Sequence, residues 1–538
     1  MNAAVQVKVN EANLFQSLRF AFSASSVLGE LIQNGRRANA TRIDICFDGN
    51  QLVVVDDGHG ITNLQNLLTA AESNWDPAVQ ATENPFGMGF LACLYCCNEI
   101  SVMSRGAKEA LGSGFQASTE DLLNHHQAKV DELQMEPGTR VALSSFQIPV
   151  FKHVADVEVR IRTLASELMS LVKGFPLPVT FNGVELERPD AINADFAETA
   201  VGGIFLKLES WRHYKLYLQG LPVESEGAQA WDCSVIHLNS SFVAKAPDRT
   251  HLTDPANDRV RVRRAIDALA RDRIIAIKAS VEPAEFVLNH ADMCRKWGFR
   301  DLLNDIDLVP GSWFVDWKSQ APGFAFDWEE DFTLDGVLTR DQLTMSRVYG
   351  MPDEFDMKAR SWLAAGPHFT FQEHGAVDKG HWLSELVDHV NNDQIEIIVK
   401  GQKGTQVVDT WNGGEVLLVA ESVELRHVTT KETYGVDAVY DGNMGTLSTS
   451  VGARPSKHTR LITNYSNDSD QYMESAESAD GIALNKAHAE VLATDPAQLL
   501  TIMLRGLEGL GGNVRLSNTA FMVTFDEQGN FKEVVATQ

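Results

Sequence analysis

The chain has 538 residues, 44% hydrophobic and 22% charged, an ordinary globular balance with room for roughly two to four domains. Its formal net charge of −27 argues against a protein whose main business is coating nucleic acid, because phosphate neutralisation needs a basic face. No run of about 18 apolar residues occurs and "MNAAVQVKVNEANLF" at the start has no apolar core of signal-peptide length, so neither a spanning helix nor export is expected. Sparse cysteine usage suits a reducing compartment, and the expected location is cytoplasmic.

The first 145 residues alternate helix and strand signals. Residues 26–38 read as a helix from the spacing of Val27, Leu28, Leu31, Ile32 and Ala38. "RIDICF" (42–47) and "QLVVVDD" (51–57) read as paired strands joined by the turn "DGN". A polar stretch with little periodicity runs from Thr62 to Pro85. "FGMGFLACLYCC" (86–97) then reads as a glycine loop entering a helix. Its three cysteines lack a matching second pair or a nearby histidine cluster, so they read as small soft residues of a buried helix rather than as a zinc site. "EISVMSRG", "FQASTE", "HQAKVDEL" and "GTRVALSSF" read as strands, and residues 151–174 as a helix. "LPVTFNGVEL", "GGIFLKLES", "YKLYLQG" and "CSVIHLNSSFVAK" predict a second, strand-rich unit closed by a charged helix over 258–280. Beyond about 285, strands are expected at 394–400, 415–425, 436–441 and 520–525, and a helix around 486–507. The acidic segment 467–481 reads as an exposed loop. The tryptophans between Trp297 and Trp328 read as core in preference to a contact surface.

Four features of the N-terminal part point to chemistry. Glu30 and Asn34 stand four residues apart, on one face of the predicted helix, about one turn from each other. A buried acid there is costly unless it has a partner or a task. "VVVDDGHGIT" puts Asp56 at a strand end before Gly58 and Gly60, where the carboxylate can accept from an exocyclic amine and the glycines allow close backbone approach. "NPFGMGFLA" puts Gly87 and Gly89 at a helix start, where free backbone N–H groups suit phosphates. "PGTRVALSSF" puts Thr139 at a strand start facing the same cleft. Each feature alone is weak; four in order, each in its expected context, are specific.

Over residues 12 to 145 the sequence resembles the GHKL ATPase superfamily, the Bergerat fold of gyrase B, Hsp90, histidine kinases and MutL. Glu30 and Asn34 match the E-x-x-x-N box, Asp56, Gly58 and Gly60 the D-x-G-x-G motif, "FGMGF" (86–90) the lid glycines, and "GTRV" the threonine strand. The resemblance implies ATP and Mg2+ as ligands. Glu30 would be the general base, Asn34 the metal ligand, and Asp56 the acceptor for the adenine amine. Residues 61–86 would form a lid that excludes water. One position departs from the pattern: many members carry an acid three residues after the Asn, where this chain has Arg37. Of Arg36 and Arg37, one is expected to face solvent and the other to pair locally. Asp57 and His59 are read as turn residues, and Trp75 as an anchor for the lid.

Only about 25 residues precede the motif helix, which leaves little room for the dimerising helices of a histidine kinase. Gyrase, MutL and Hsp90 carry a second, ribosomal-S5-like domain that returns a cation to the γ-phosphate. "VTFNGVEL" followed by "VIHLNSSFVAKAPDRTHLTD" and a long helix resembles it, and makes Lys245 and Arg249 the candidates. The expected architecture is α/β (α+β) in three parts: a Bergerat sandwich over 1–148, an S5-like transducer over 149–284, and an α+β region over 285–538 for a protein client or dimer contacts. The expected function is an ATP-driven switch, with two protomers closing as a clamp. The alternatives are a nucleotide-gated scaffold with little hydrolysis and a MutL- or MORC-like clamp associated with DNA.

Overall fold

The computed structural model describes residues 24–69, 75–83, 89–151, 154–223, 233–245, 249–317, 333–353, 356–373, 375–410, 413–436, 438–441, 446–449, 495–505, 516 and 518–537. Helix α1 (Ala24–Arg37) forms where the 3.6-residue spacing of Val27, Leu28, Leu31 and Ile32 gives one apolar stripe, each of these side chains 6% exposed or less. Burial of each contributes about 1.5–3 kcal/mol. The helix stops where Asn39 takes a left-handed φ of 56° while Ala38 N–H bonds to Asn34 O at 2.9 Å, a C-terminal cap by an asparagine.

Strands β1 (Ile43–Phe47) and β2 (Leu52–Asp56) pair antiparallel, with Phe47 opposite Leu52. In the turn between them Asp48 Oδ1 accepts from the N–H groups of Asn50 and Gln51 at 2.8 and 2.6 Å, and these bonds hold its carboxyl below the ordinary value. They join β3 (Glu99–Arg105), β4 (Gly112–Ser118), β5 (Val130–Leu133), β6 (Gly138–Ser144), β7 (Val179–Phe181) and β8 (Val184–Glu185) in an eight-stranded mixed sheet of order β5-β4-β3-β6-β2-β1-β7-β8. β1 and β7 are parallel, so the sheet continues past residue 148. "FQASTE" is strand only to Ser118; its last residues start helix α3 (Thr119–Leu123), after the short helix α2 (Pro77–Glu83). Helix α4 (Val157–Val172) adds Leu164, Leu168 and Val172 to the core beneath α1.

A second sheet follows in the order β12-β11-β13-β10-β9, made of β9 (Ala197–Thr199), β10 (Gly202–Phe205), β11 (Tyr214–Leu218), β12 (Leu221–Val223) and β13 (Ser234–Leu238). The 26-residue helix α5 (Pro255–Ser280) comes next, its Val262, Ile266, Ala270 and Ile274 fully buried. The chain divides into two units, 1–276 and 277–538, within the last turn of α5.

In the second unit Trp297, Trp313 and Trp317 are core residues, as expected; Trp328 lies outside the described residues. Three short parallel strands, Phe369–Phe371, Val348–Gly350 and Val387–Asp388, form one sheet. The expected strands at 394–400 and 415–425 are the paired strands Ile395–Thr410 and Gly413–His427. The predicted strand at 520–525 pairs with Phe531–Thr537. The helix expected over 486–507 is described as Pro496–Arg505, and the segment 467–481 lies outside the described residues. Among the described residues no helix is long and apolar enough to cross a membrane.

Candidate functional site

Glu30 and Asn34 project from one face of α1. Glu30 is 9% exposed and packs against Gly89: a Cβ added at Gly89 would lie 2.3 Å from Glu30 Oε2. The loop after the lid segment must therefore lack a side chain at this point. Gly87, the other lid glycine expected, lies outside the described residues. Gly89 precedes the 3-10 helix Phe90–Tyr95, whose Cys93 is buried, as is Cys97 just beyond it. Burial pushes the Cys93 thiol well up and those of Cys96 and Cys97 to about 12. Among the described residues no group of three or more His, Cys, Asp or Glu is placed to hold a metal.

The end of β2 closes on the same helix, at Gly35. A Cβ at Gly35 would come within 3.2 Å of Asp56 Cβ, so this glycine lets the strand end approach α1. Asp56 Oδ1 accepts the Gly58 N–H at 2.9 Å. Burial raises the Asp56 carboxyl to about 6, against the Gly58 hydrogen bond and with help from the neighbouring Asp57 charge. Gly60 has φ +73°, and a Cβ there would meet the Arg105 carbonyl oxygen at 2.1 Å. Thr139 stands opposite Asp56 in the β2–β6 register, 7% exposed. Its hydroxyl is 3.0 Å from Ser104 Oγ, which donates to Gly138 O and accepts the Ile61 N–H at 2.7 Å. Ser104 was not singled out from the sequence; a lone serine in an alternating strand carries no signal. Asp57 is exposed and accepts from Thr41 and Arg42, while His59 bonds to Gly60 O and meets the Trp75 ring edge-on at 6.2 Å.

A charged network surrounds Glu30. Arg249 Nε lies 2.9 Å from Glu30 Oε1, and Arg37 Nη1 lies 3.5 Å from Oε2. Arg37 Nη1 also donates to Asn34 Oδ1 at 3.4 Å. Arg36 Nη2 and Arg37 Nε both approach Glu83 Oε2, at 2.5 and 3.0 Å. Behind them Gln33 accepts from Arg36 and donates to Gln219, whose side chain accepts from Arg249 at 3.4 Å. The expectation that one arginine faces solvent is corrected: the Arg37 side chain is 1% exposed and both arginines pair with Glu83, because a buried guanidinium needs a carboxylate. Burial disfavours the Glu83 carboxylate, but the two arginines outweigh it and hold its carboxyl below the ordinary value. Of the two cations expected near the site, Arg249 is in it and Lys245 is exposed, tied by its backbone N–H to His251 O. Glu83, Gln33 and Gln219 were missed, since their partners lie 46 and 186 residues away in sequence.

The arrangement juxtaposes a buried carboxylate, an amide oxygen, an acid facing a glycine turn, and three guanidiniums. Asn34 Oδ1 is the hard oxygen donor that Mg2+ prefers, and with no acidic cluster beside it among the described residues such an ion would take its other ligands from phosphate and water.

Residues 22–147 match the family model described as histidine kinase-, DNA gyrase B-, and HSP90-like ATPase. Among solved structures, the Aquifex aeolicus MutL ATPase domain complexed with ADP is similar at 14% identity and a TM-score of 0.27, over 40% of this chain and 92% of that one. No curated protein matches the chain.

Proposed function

We propose, from the GHKL ATPase domain that residues 22–147 form, that the protein is an Mg2+-dependent ATP-binding and slowly hydrolysing conformational switch. The observation that carries the reading is the packing of Gly89 against the Glu30 carboxylate, one helical turn from Asn34, with the Asp56 end of β2 against Gly35 of the same helix. Asp56 accepts from the adenine amine, with Thr139 beside it. Asn34 holds the metal, which supplies charge neutralisation of the phosphates. Glu30 orients and deprotonates the attacking water, a role worth about 10²–10⁴ in rate. Arg249 is the cation that reads the terminal phosphate, supplied by the loop between the second sheet and α5. The residues from 149 to 284 thereby act as a transducer, and 285–538 carry contacts to a client protein or a second protomer.

A second reading is a nucleotide-gated scaffold with little turnover. One observation favours it: both Glu30 oxygens face guanidiniums, Arg249 on one and Arg37 on the other. Steady-state ATP hydrolysis and direct ATP binding, for wild type and Glu30→Ala, decide between them. Turnover in wild type with binding but no hydrolysis in the variant supports the switch. Binding without turnover in both supports the scaffold. Absence of binding by both proteins sinks both readings.

A further inference from the structure

Arg36 and Arg37 end α1 and converge on a single oxygen of Glu83, the last residue of α2 in the lid segment. This carboxylate reaches them across 46 residues of sequence, and it does not complete their coordination. Arg37 Nη2 is buried without a hydrogen-bond acceptor among the described residues. An orphaned guanidinium N–H in a buried place has its desolvation cost uncompensated, of about 1–3 kcal/mol or more for a charged group. Among the described residues, the Arg36 and Arg37 guanidiniums share the one Glu83 oxygen, while Glu30 is also approached by Arg249. Glu30 is fixed from inside α1, so Glu83, carried on a short helix of a loop, is the exchangeable member.

We infer that Arg36 and Arg37 are a phosphate-binding pair, and that Glu83 occupies it in the nucleotide-free protein as a tethered stand-in anion that the phosphates of a nucleoside triphosphate displace. The inference rests on the proposed nucleotide site. A terminal phosphate has three acceptor oxygens and more charge than a carboxylate, so it satisfies both guanidiniums and the orphaned Arg37 N–H together. Arg37 Nη1, within 3.4–3.5 Å of Asn34 Oδ1 and Glu30 Oε2, places the pair beside the residues assigned to metal and water. Displacement of Glu83 uncouples α2 from α1, so α2 is released only when phosphate arrives. The cost of the stand-in is affinity: a site that its own anion fills nine-tenths of the time binds about tenfold more weakly than the free site.

Isothermal calorimetry of the full chain with ATP and Mg2+, on wild type, E83Q and the pair R36Q/R37Q with and without E83Q, tests this. The expected result is that E83Q binds ATP about tenfold more tightly than wild type, that R36Q/R37Q binds more weakly, and that E83Q adds nothing in the R36Q/R37Q background. Equal or weaker binding by E83Q while wild type binds normally overturns the inference and leaves the nucleotide site intact. Failure of wild type to bind ATP overturns the site reading and the inference with it. E83D, which keeps the charge but is one methylene shorter, covers the case in which E83Q does not fold: intermediate tightening supports the stand-in, and unchanged affinity overturns it.

Discussion

Arg249 and Glu30 form an ion pair of 2.9 Å, joining the loop before α5 to helix α1 across 219 residues of sequence. Both side chains are nearly nine-tenths buried, and Arg249 holds a left-handed φ of 57°, so the loop presents this guanidinium at a conformational cost that an unconstrained arginine would avoid.

If that cation stabilises charge on the terminal phosphate, Arg249→Ala should lower kcat for ATP by about 10²–10³, while changing KM much less. Lys245→Ala, at an exposed position, should change kcat by less than about twofold, as surface substitutions away from special features do. Steady-state kinetics of the two variants side by side checks the assignment; equal effects would exclude Arg249 from the special role.

The local part of this site was legible because it is local. Glu30 and Asn34 are one helical turn apart, Asp56 and the glycines sit in one turn, and the helix and strand periods around them are clean. Residues 24–37, 43–47 and 52–56 folded as the patterns predicted. What the sequence did not disclose depends on pairing at a distance. The β1–β7 parallel pair, the Gln33–Gln219 bond and the Glu83 contacts leave no periodic trace. The Arg36–Arg37 pair misled for the same reason: two basic residues on a helix end leave room for one to face solvent until a carboxylate from another loop is seen beside both. In the second unit, three-residue strands such as Val348–Gly350 are shorter than any period that could announce them.

Asp56 should trade stability for ligand. Its folded carboxyl titrates near 6 instead of 3.8, chiefly through burial. Between about pH 4 and pH 6 the folded state holds a proton that the unfolded state has released. The stability due to neutral Asp56 is therefore complete below about pH 4 and lost as pH rises through about 6. Ionised Asp56 costs the fold about 3 kcal/mol at neutral pH. Asp56→Asn should raise the thermal midpoint by several degrees at pH 7.5, a gain that shrinks as pH falls towards 4, and it should abolish ATP binding. A less stable Asn variant at pH 7.5 would refute the assignment of that cost to Asp56.

Gly89→Ala should damage chemistry more than binding. The added Cβ would stand 2.3 Å from Glu30 Oε2, and the side chain that must move is the proposed base. A displacement of the order of 1 Å is worth about 10²-fold in rate, so kcat should fall by about that factor with ATP affinity within a few fold. Gly60→Ala behaves differently, because its φ of +73° and the backbone oxygen of Arg105 at 2.1 Å leave no room to relax. That variant should lose several kcal/mol of stability before activity is considered. Calorimetric unfolding and kinetics on both separate the two effects.

Ser104 connects β6 at Thr139 to the segment that follows Gly60, and its removal should be felt at both. Its Oγ, fully buried, accepts the Ile61 N–H at 2.7 Å, donates to Gly138 O and touches Thr139 Oγ1. In Ser104→Ala the Ile61 N–H and the Thr139 hydroxyl lose a partner in a place water does not readily reach. The cost should be about 1–3 kcal/mol in urea unfolding. Because Ile61 directly follows Gly60, the loosened bond lies beside the turn proposed to face adenine, so nucleotide affinity should drop together with stability. Hydrogen exchange at the Ile61 amide gives the direct reading: faster exchange in Ser104→Ala is expected, and unchanged protection would mean that the β3 serine does not hold the segment that follows Gly60.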